Sequence, residues 1–353
     1  VWVVFVLWLT VSTFLAIDVD VSMYEWKRVI KIQLITLVTP LLINSKEKLN
    51  QLIMVISLSV GFFGIKGGVF VALTGGGSRV WGPPDSFIEG NNEIALALLM
   101  VLPFIWYLRT QSTNKWLRHA LVISIVLCIL SIISSYSRGA FVAFSAVMVM
   151  FWFKSNKKFI IVIVLLAMAS AVFSFMPAHY FERIETIQSY DQDASAMGRV
   201  NSWYFAFNLA SDRPLTGGGF GAFTKELFST YAPDPINFHD AHSIYFEVLG
   251  EQGFVGLILF LTLWLLCYRS CAKIKKQVSG VKDMEWAEIL ATMIQVSLVA
   301  YGVGGAFLGL AYFDLPYHIM TFCVLSQIFV NKELLKKTDI GDELLPSKLG
   351  RLA

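Results

Sequence analysis

Charge is the scarcest commodity in this sequence. Lys, Arg, Asp and Glu make up 15% of its 353 residues, against about 25% in an ordinary soluble domain. That shortage excludes a soluble enzyme, a disordered chain and a nucleic-acid binder with a basic face. Cysteine is scarce as well. Cys128, Cys267, Cys271 and Cys323 lie in or at the ends of apolar runs, so neither a disulfide framework nor a zinc spacing is visible. No basic leader precedes the first apolar run, which already contains Val1. No signal peptide is therefore read, and further N-terminal sequence is expected ahead of it. Internal repeats and low-complexity tracts are lacking too. What fills the chain is apolar: 56% hydrophobic residues, 28 Phe, 12 Tyr and 10 Trp, with a mean hydropathy of +0.65. This is the composition of an integral membrane protein.

A helix needs about 20 apolar residues to cross the hydrocarbon core. About ten stretches approach that: roughly 1–17, 29–43, 50–73, 92–108, 116–134, 139–153, 158–176, 244–268, 284–311 and 314–332. The runs are long and do not alternate, so they read as helices rather than barrel strands. Basic residues set the orientation. With residue 1 on the cytoplasmic side, the inner loops are 44–49, 109–118, 154–158 and 269–283, and the tail follows 332; each carries a group of Lys or Arg. The expectation is an all-α polytopic membrane protein with a single membrane domain. Residues 1–176 and 244–332 hold its spans, 177–243 form a long outer loop, and 333–353 are a cytoplasmic tail.

A loop as long as 177–243 is uncommon unless it has a task. Within it Ala194–Ala210 has helical length and aromatic residues at Trp203, Tyr204 and Phe207. Asp212-Arg213-Pro214 and Gly217-Gly218-Gly219 then stop the helix. A short amphipathic helix near the membrane surface, followed by a glycine turn, is expected. The run Gly217-Gly218-Gly219-Phe220-Gly221 lacks the Lys-Ser/Thr of a phosphate loop and follows no strand, so it reads as a structural turn. Gly302, Gly305 and Gly309 read as close helix-packing positions.

Polar residues at the membrane edge are the functional candidates. Arg138, in Ser134-Ser135-Tyr136-Ser137-Arg138-Gly139-Ala140, offers a planar fork suited to phosphate in a tight outer turn. Snorkelling to headgroups would explain it too. Arg199, in Gly198-Arg199-Val200-Asn201-Ser202-Trp203, sits in the first turns of the loop helix, where the dipole favours an anion. A solvated helix charge is the plainer alternative. His242, in His239-Asp240-Ala241-His242-Ser243-Ile244-Tyr245, lies where the loop rejoins the membrane and could accept a proton near neutral pH. It could equally anchor the loop by a hydrogen bond. His239 and His242 with Asp240 raise a metal site, but no further ligand has a definite spacing, and no metal is assigned. Glu93, Asp314 and His318 face the outer side and form a second tier.

An SRGA turn, a late outer loop with GRxxxW, a GxGxF turn and AHSxY at the head of an apolar run occur in this order. Together they resemble the O-antigen ligase and polymerase superfamily of envelope glycosyltransferases. His239 to Gly256 (HDAHSIYFEVLGEQGFVG) is the most characteristic stretch, and Pro83-Pro84-Asp85-Ser86-Phe87 is similar to the O-glycosylation ligases of exosortase systems. The resemblance runs over roughly 60–330 and is densest from 134 to 256. It implies a multi-pass protein of a bacterial inner membrane with its site facing the periplasm. The implied donor is a glycan on undecaprenyl pyrophosphate. The acceptor is a hydroxyl of a lipid, a protein or a polysaccharide, and no cofactor, metal or nucleic acid takes part. It makes Arg138, Arg199 and His242 the catalytic candidates, with His239, Tyr245, Trp203, Glu93 and Asp314 as substrate-binding candidates. A polymerase of the same superfamily and a secondary transporter are the alternatives. Transporters gather polar residues near the midplane, whereas these candidates gather at one face.

Overall fold

A computed structural model describes residues 1–76, 78–154 and 194–343 of the protein. Its regular structure there is helical. In chain order the helices are α1 (Trp2–Phe14), α2 (Val19–Leu42), α3 (Lys46–Thr74), α4 (Asn91–Gln111), α5 (Lys115–Ser134), α6 (Arg138–Lys154), α7 (Ala194–Asp212), α8 (Lys225–Tyr231), α9 (Ile244–Val278), α10 (Glu285–Gly304) and α11 (Asp314–Glu343). A 3₁₀ turn, Gly305–Phe307, follows α10. The expected span at 158–176, the first part of the long loop and the end of the tail lie outside the described residues.

Five helices, α3, α4, α5, α9 and α10 with its 3₁₀ turn, are long and apolar enough to cross a membrane, and α1 and α6 are shorter apolar helices. The expected count of about ten spans is thus met only in part. Charge is the reason at α2, which starts at Val19 rather than 29 and takes in Lys27, Arg28 and Lys31 on an exposed face. Asp18 caps it, accepting the Val21 N–H at 3.0 Å. The inward stripe is Ser22, Val29, Gln33 and Thr36, a helical spacing. Hydrogen bonds reach the stripe from other helices: Trp2 donates to Gln33 Oε1 at 2.8 Å, and Thr321 donates to the Thr36 backbone O at 3.0 Å.

Helix α4 is central. Ile94 through Val101 are all buried, enclosed by α3, α5, α6 and α10. Beside it α3 meets α5 without room to spare, because a Cβ on Gly68 would stand 2.2 Å from Leu127 O. Of the three glycines expected to pack closely, Gly305 does so, since a Cβ there would stand 2.7 Å from Ile244; at Gly302 and Gly309 a Cβ would make only ordinary contacts, with Tyr245 and Glu247.

Further boundaries differ from the sequence expectation, among them the end of α11, at Glu343 rather than 332. Helix α9 runs to Val278 rather than 268, and α10 ends at Gly304 rather than 311. The chain from Leu308 to Phe313 forms a loop instead, pinned by buried tyrosines: Tyr301 donates to Leu310 O at 2.9 Å and Tyr317 to Ala311 O at 2.8 Å. Helix α9 is also broken at Gly253, whose φ of 68° and ψ of −173° suit glycine. A side chain there would meet Leu215 O at 2.4 Å.

The bundle has two distinct ends. At one, Lys46 sits 5.0 Å over the Trp286 ring, Lys337 donates to Lys282 O at 2.6 Å, and Tyr107 donates to Asn50 Oδ1 at 2.8 Å. The basic segments around Lys46, Lys282 and Lys337 meet there, as in a polytopic membrane protein whose inner loops carry the positive charge. At the other end Ile17 N–H donates to Gly218 O at 2.9 Å, Asn91 donates to Ser135 O at 2.7 Å, and Phe220 lies 4.8 Å from Tyr312.

Candidate functional site

The site candidates lie at the second end. Helix α7 covers the expected 194–210 and stops at Asp212. Gly217, Gly219 and Gly221 then have φ of 62°, 88° and 71°. The turn they make is bolted to the head of α9: Gly218 N–H donates to Gly250 O and Gly219 N–H to Glu251 O, both at 2.9 Å, and Gly221 N–H to Glu251 Oε1 at 2.8 Å. At Gly219 a Cβ would lie 2.2 Å from Ala16 Cβ. The glycine run is therefore a structural turn, fitted against the α1–α2 connection.

From α7 the structure braces the segment that carries His242. Asn201 is a buried clamp: its Nδ2 donates to Asp234 O at 2.8 Å and Asn237 O at 2.9 Å, and its Oδ1 accepts the Asp234 N–H at 2.9 Å. Ser202 Oγ lies 2.9 Å from His239 O. The His239 ring lies over Gly198, where a Cβ would stand 2.4 Å from Nε2. Trp203 donates to Ala241 O at 3.0 Å and stacks on Phe246, centroids 5.0 Å apart and planes at 9°. Held on both sides, His242 adopts a φ of 41°. Left-handed backbone is costly for a residue other than glycine and persists only where its surroundings impose it.

Arg199, half-buried one residue beyond Gly198, puts its charge on both His242 and Glu93. Burial first, and then the Arg199 cation, hold the His242 imidazole below the ordinary 6.5; Asp240 opposes them and His239 adds to them. A neutral imidazole at neutral pH can accept a proton. Glu93 lies in the first turn of α4 and folds back over Gly90, Oε2 standing 1.9 Å from where a Cβ would be.

Arg138 opens α6 and is exposed. The turn before it is over-determined. Tyr136 has a φ of 54° and bonds Gly76 O, Ser135 Oγ accepts the Ser137 N–H at 3.2 Å, and Ser137 Oγ caps α6 by accepting the Ala140 N–H at 3.1 Å. Two neighbours tie this turn to the His242 segment. Asn91, at the head of α4 with Glu93, bonds Ser135 O. On the other side Gly139 lies against Phe307, and Gly305 lies against Ile244.

The remaining candidates divide. Tyr245 is a brace, its hydroxyl donating to Gly302 O at 2.6 Å. Asp314, at the start of α11, puts its charge on His318. Sequence reasoning passed over Asn91, Asn201, Glu247 and Glu251. Glu247 Oε2 accepts the Ala311 N–H at 3.0 Å, and Glu251 is buried, its Oε1 accepting the Gly221 N–H at 2.8 Å. The signal was present in two carboxylates four apart within an apolar run. The cysteine spacing also hid a grouping. Cys267, Cys271 and Cys323 bring their sulfur atoms within 4.8 Å of one another, close enough to hold a metal ion, but between α9 and α11 and apart from His242. The Cys271 and Cys323 sulfurs are 3.4 Å apart.

Comparison with known proteins adds to this geometry. Residues 123–261 match the model of a family described as O-antigen ligase, a stretch that includes Arg138, Arg199 and His242. Residues 1–113 match a family of unknown function. Over 146 residues the chain is 26% identical to the exopolysaccharide production protein ExoQ of Rhizobium meliloti (strain 1021). That alignment covers 38% of this chain and 30% of the relative's length.

Proposed function

We propose that this protein is a membrane glycosyltransferase that moves a glycan from a polyprenyl pyrophosphate to an acceptor hydroxyl at the His242 end of the bundle, the periplasmic face of a bacterial inner membrane. The observation that carries the reading is the shared electrostatics of Arg199 and His242, set in strained and braced backbone inside the stretch similar to O-antigen ligases. In the reaction the bond from the anomeric carbon to the phosphate oxygen breaks, and its electron pair leaves with the pyrophosphate. Arg138 and Arg199 receive that charge through bidentate, charge-assisted hydrogen bonds. The acceptor oxygen bonds to the anomeric carbon from the opposite face, inverting it, and its proton passes to the neutral His242. His239, Trp203 and Tyr245 keep the loop in register, Glu93 orients Arg199, and Asp314 borders the acceptor side. The chemistry uses only these side chains, without a metal.

The relative's name, an exopolysaccharide production protein, favours a second reading in which the acceptor is a growing polysaccharide. One assay addresses both. Purified protein, undecaprenyl-pyrophosphate glycan and candidate acceptors are incubated with excess EDTA, and the glycan products are resolved. A single block on a non-polyprenyl acceptor supports the ligase and the exosortase-associated branch. A ladder on the carrier supports the polymerase. Transfer that disappears with EDTA rules out the metal-independent mechanism.

A further inference from the structure

At the basic end, the connection between α4 and α5 builds a recess of about 100 Å³ lined by Arg109, Lys115, Arg118, His119 and Val122. Its sequence origin is plain. Asn114 caps α5 by accepting the Trp116 N–H at 2.9 Å, and Lys115, Arg118 and His119 then share one face of the helix. Arg109 arrives from the last turn of α4, its guanidinium 4.6 Å over the Trp106 ring. Like charges so close repel one another, and among the described residues no carboxylate pairs with them. Arg109 Nε is buried with no partner. An unmatched buried donor beside several cations calls for a multivalent anionic acceptor, and tetrahedral phosphate oxygens supply one.

The surroundings say which phosphate. Below the recess the same helical stripe continues through Val122 and Val126, 37% and 51% exposed, with Ile123 beside them at 59%. Trp106 and Trp116 are exposed at the level of the cations, where aromatic residues mark a headgroup boundary. A cationic recess above an open apolar stripe has the shape of an amphiphile. We propose that this recess is a binding site for an anionic phospholipid of the leaflet at the basic end, with the phosphate among Arg109, Lys115, Arg118 and His119 and the acyl chains along α5. It is independent of the glycan-transfer reading, since it lies at the opposite end of the bundle.

The test uses the full chain in detergent, with lipid retention read by native mass spectrometry and unfolding temperature measured alongside. The probes are phosphatidylglycerol, phosphatidylcholine and inorganic phosphate. The wild type should retain phosphatidylglycerol selectively and be stabilised by it. Arg109→Gln and Arg118→Gln should each lower retention by about fivefold, and the double variant should lose the preference. Lys273→Gln/Lys276→Gln removes the same charge at the same end and should keep it. Three results overturn the site: no preference in the wild type, equal loss in the Lys273/Lys276 control, or stabilisation by inorganic phosphate equal to that by the lipid, which would mark a free-anion pocket. If a recess variant does not fold, the wild-type comparison of the three probes still decides.

Discussion

The two ends of this bundle carry charge in different ways. At the basic end Lys and Arg side chains reach from short loops and helix ends, and their positions follow from helix length and capping alone. At the His242 end the candidate charges stand in or beside left-handed backbone that side chains brace: His242 at φ 41° and Tyr136 at φ 54°, with Trp203, Asn201 and Asn91 as braces, whereas the one such non-glycine residue in the α9–α10 turn of the basic end, Asp283 at φ 70°, is exposed. A charge that only has to sit at a membrane surface needs no such scaffolding. One that must meet a reacting atom does, because small errors in placement cost orders of magnitude in rate. On the proposed function, the contrast separates a region shaped for topology from a region shaped for chemistry.

The largest effect expected from this contrast is at His242. His242→Ala should lower transfer by about 10²–10⁴-fold, the usual cost of losing a general base, while binding of the lipid-linked donor persists. Near wild-type transfer by a well-expressed variant would reduce His242 to a loop anchor and remove the main reason for calling this end chemical.

A smaller effect is expected in pH dependence. His242 must be neutral to accept a proton, so the rate should fall on the acid side as the imidazole protonates. Arg199 is the second cause, after burial, that holds its pKa below 6.5. Removing that cation makes protonation easier, so Arg199→Gln should move the acid limb to higher pH. Burial, the larger cause, persists and keeps part of the depression. A limb that stays put, or moves to lower pH, would separate Arg199 from His242 electrostatically.

How much of this was legible in the sequence differs between the two ends as well. At the basic end the grouping of Lys and Arg was readable, because their position between apolar runs is a one-dimensional property, but the run of α9 through Arg269 and Lys276 to Val278 was not. At the His242 end the candidates and the glycine turn could be found, since SRGA, GRxxxW and AHSxY are local. Their mutual supports were not visible. Asn91 reaches Ser135 and Asn201 reaches Asp234 across chain separations that no helical or strand period links. The end of α10 was misjudged for the same reason. Residues 308–313 are apolar enough to continue a helix, and the buried hydroxyls of Tyr301 and Tyr317, with Glu247, give that loop hydrogen bonds in place of those a helix would have supplied.

The smallest effect bears on the comparison most directly, since it asks whether equal structural losses at the two ends have unequal consequences. Ser137 caps α6 at the His242 end, and Ser45 caps α3 at the basic end by accepting the Lys48 N–H at 3.3 Å. Replacing either by Ala removes one cap, worth about 1 kcal/mol, so Ser137→Ala and Ser45→Ala should lower the unfolding temperature by similar small amounts. Their effects on transfer should differ. Ser137 precedes Arg138, and fraying the first turn of α6 loosens the guanidinium's position, whereas Ser45 lies at the far end of the bundle. Ser137→Ala should therefore lose transfer rate beyond what its stability explains, and Ser137→Asp, which restores an N-cap acceptor, should recover much of it. If the two alanine variants lose transfer equally, the placement of Arg138 does not depend on its cap, and the division between an end built for charge and an end built for geometry fails at Arg138.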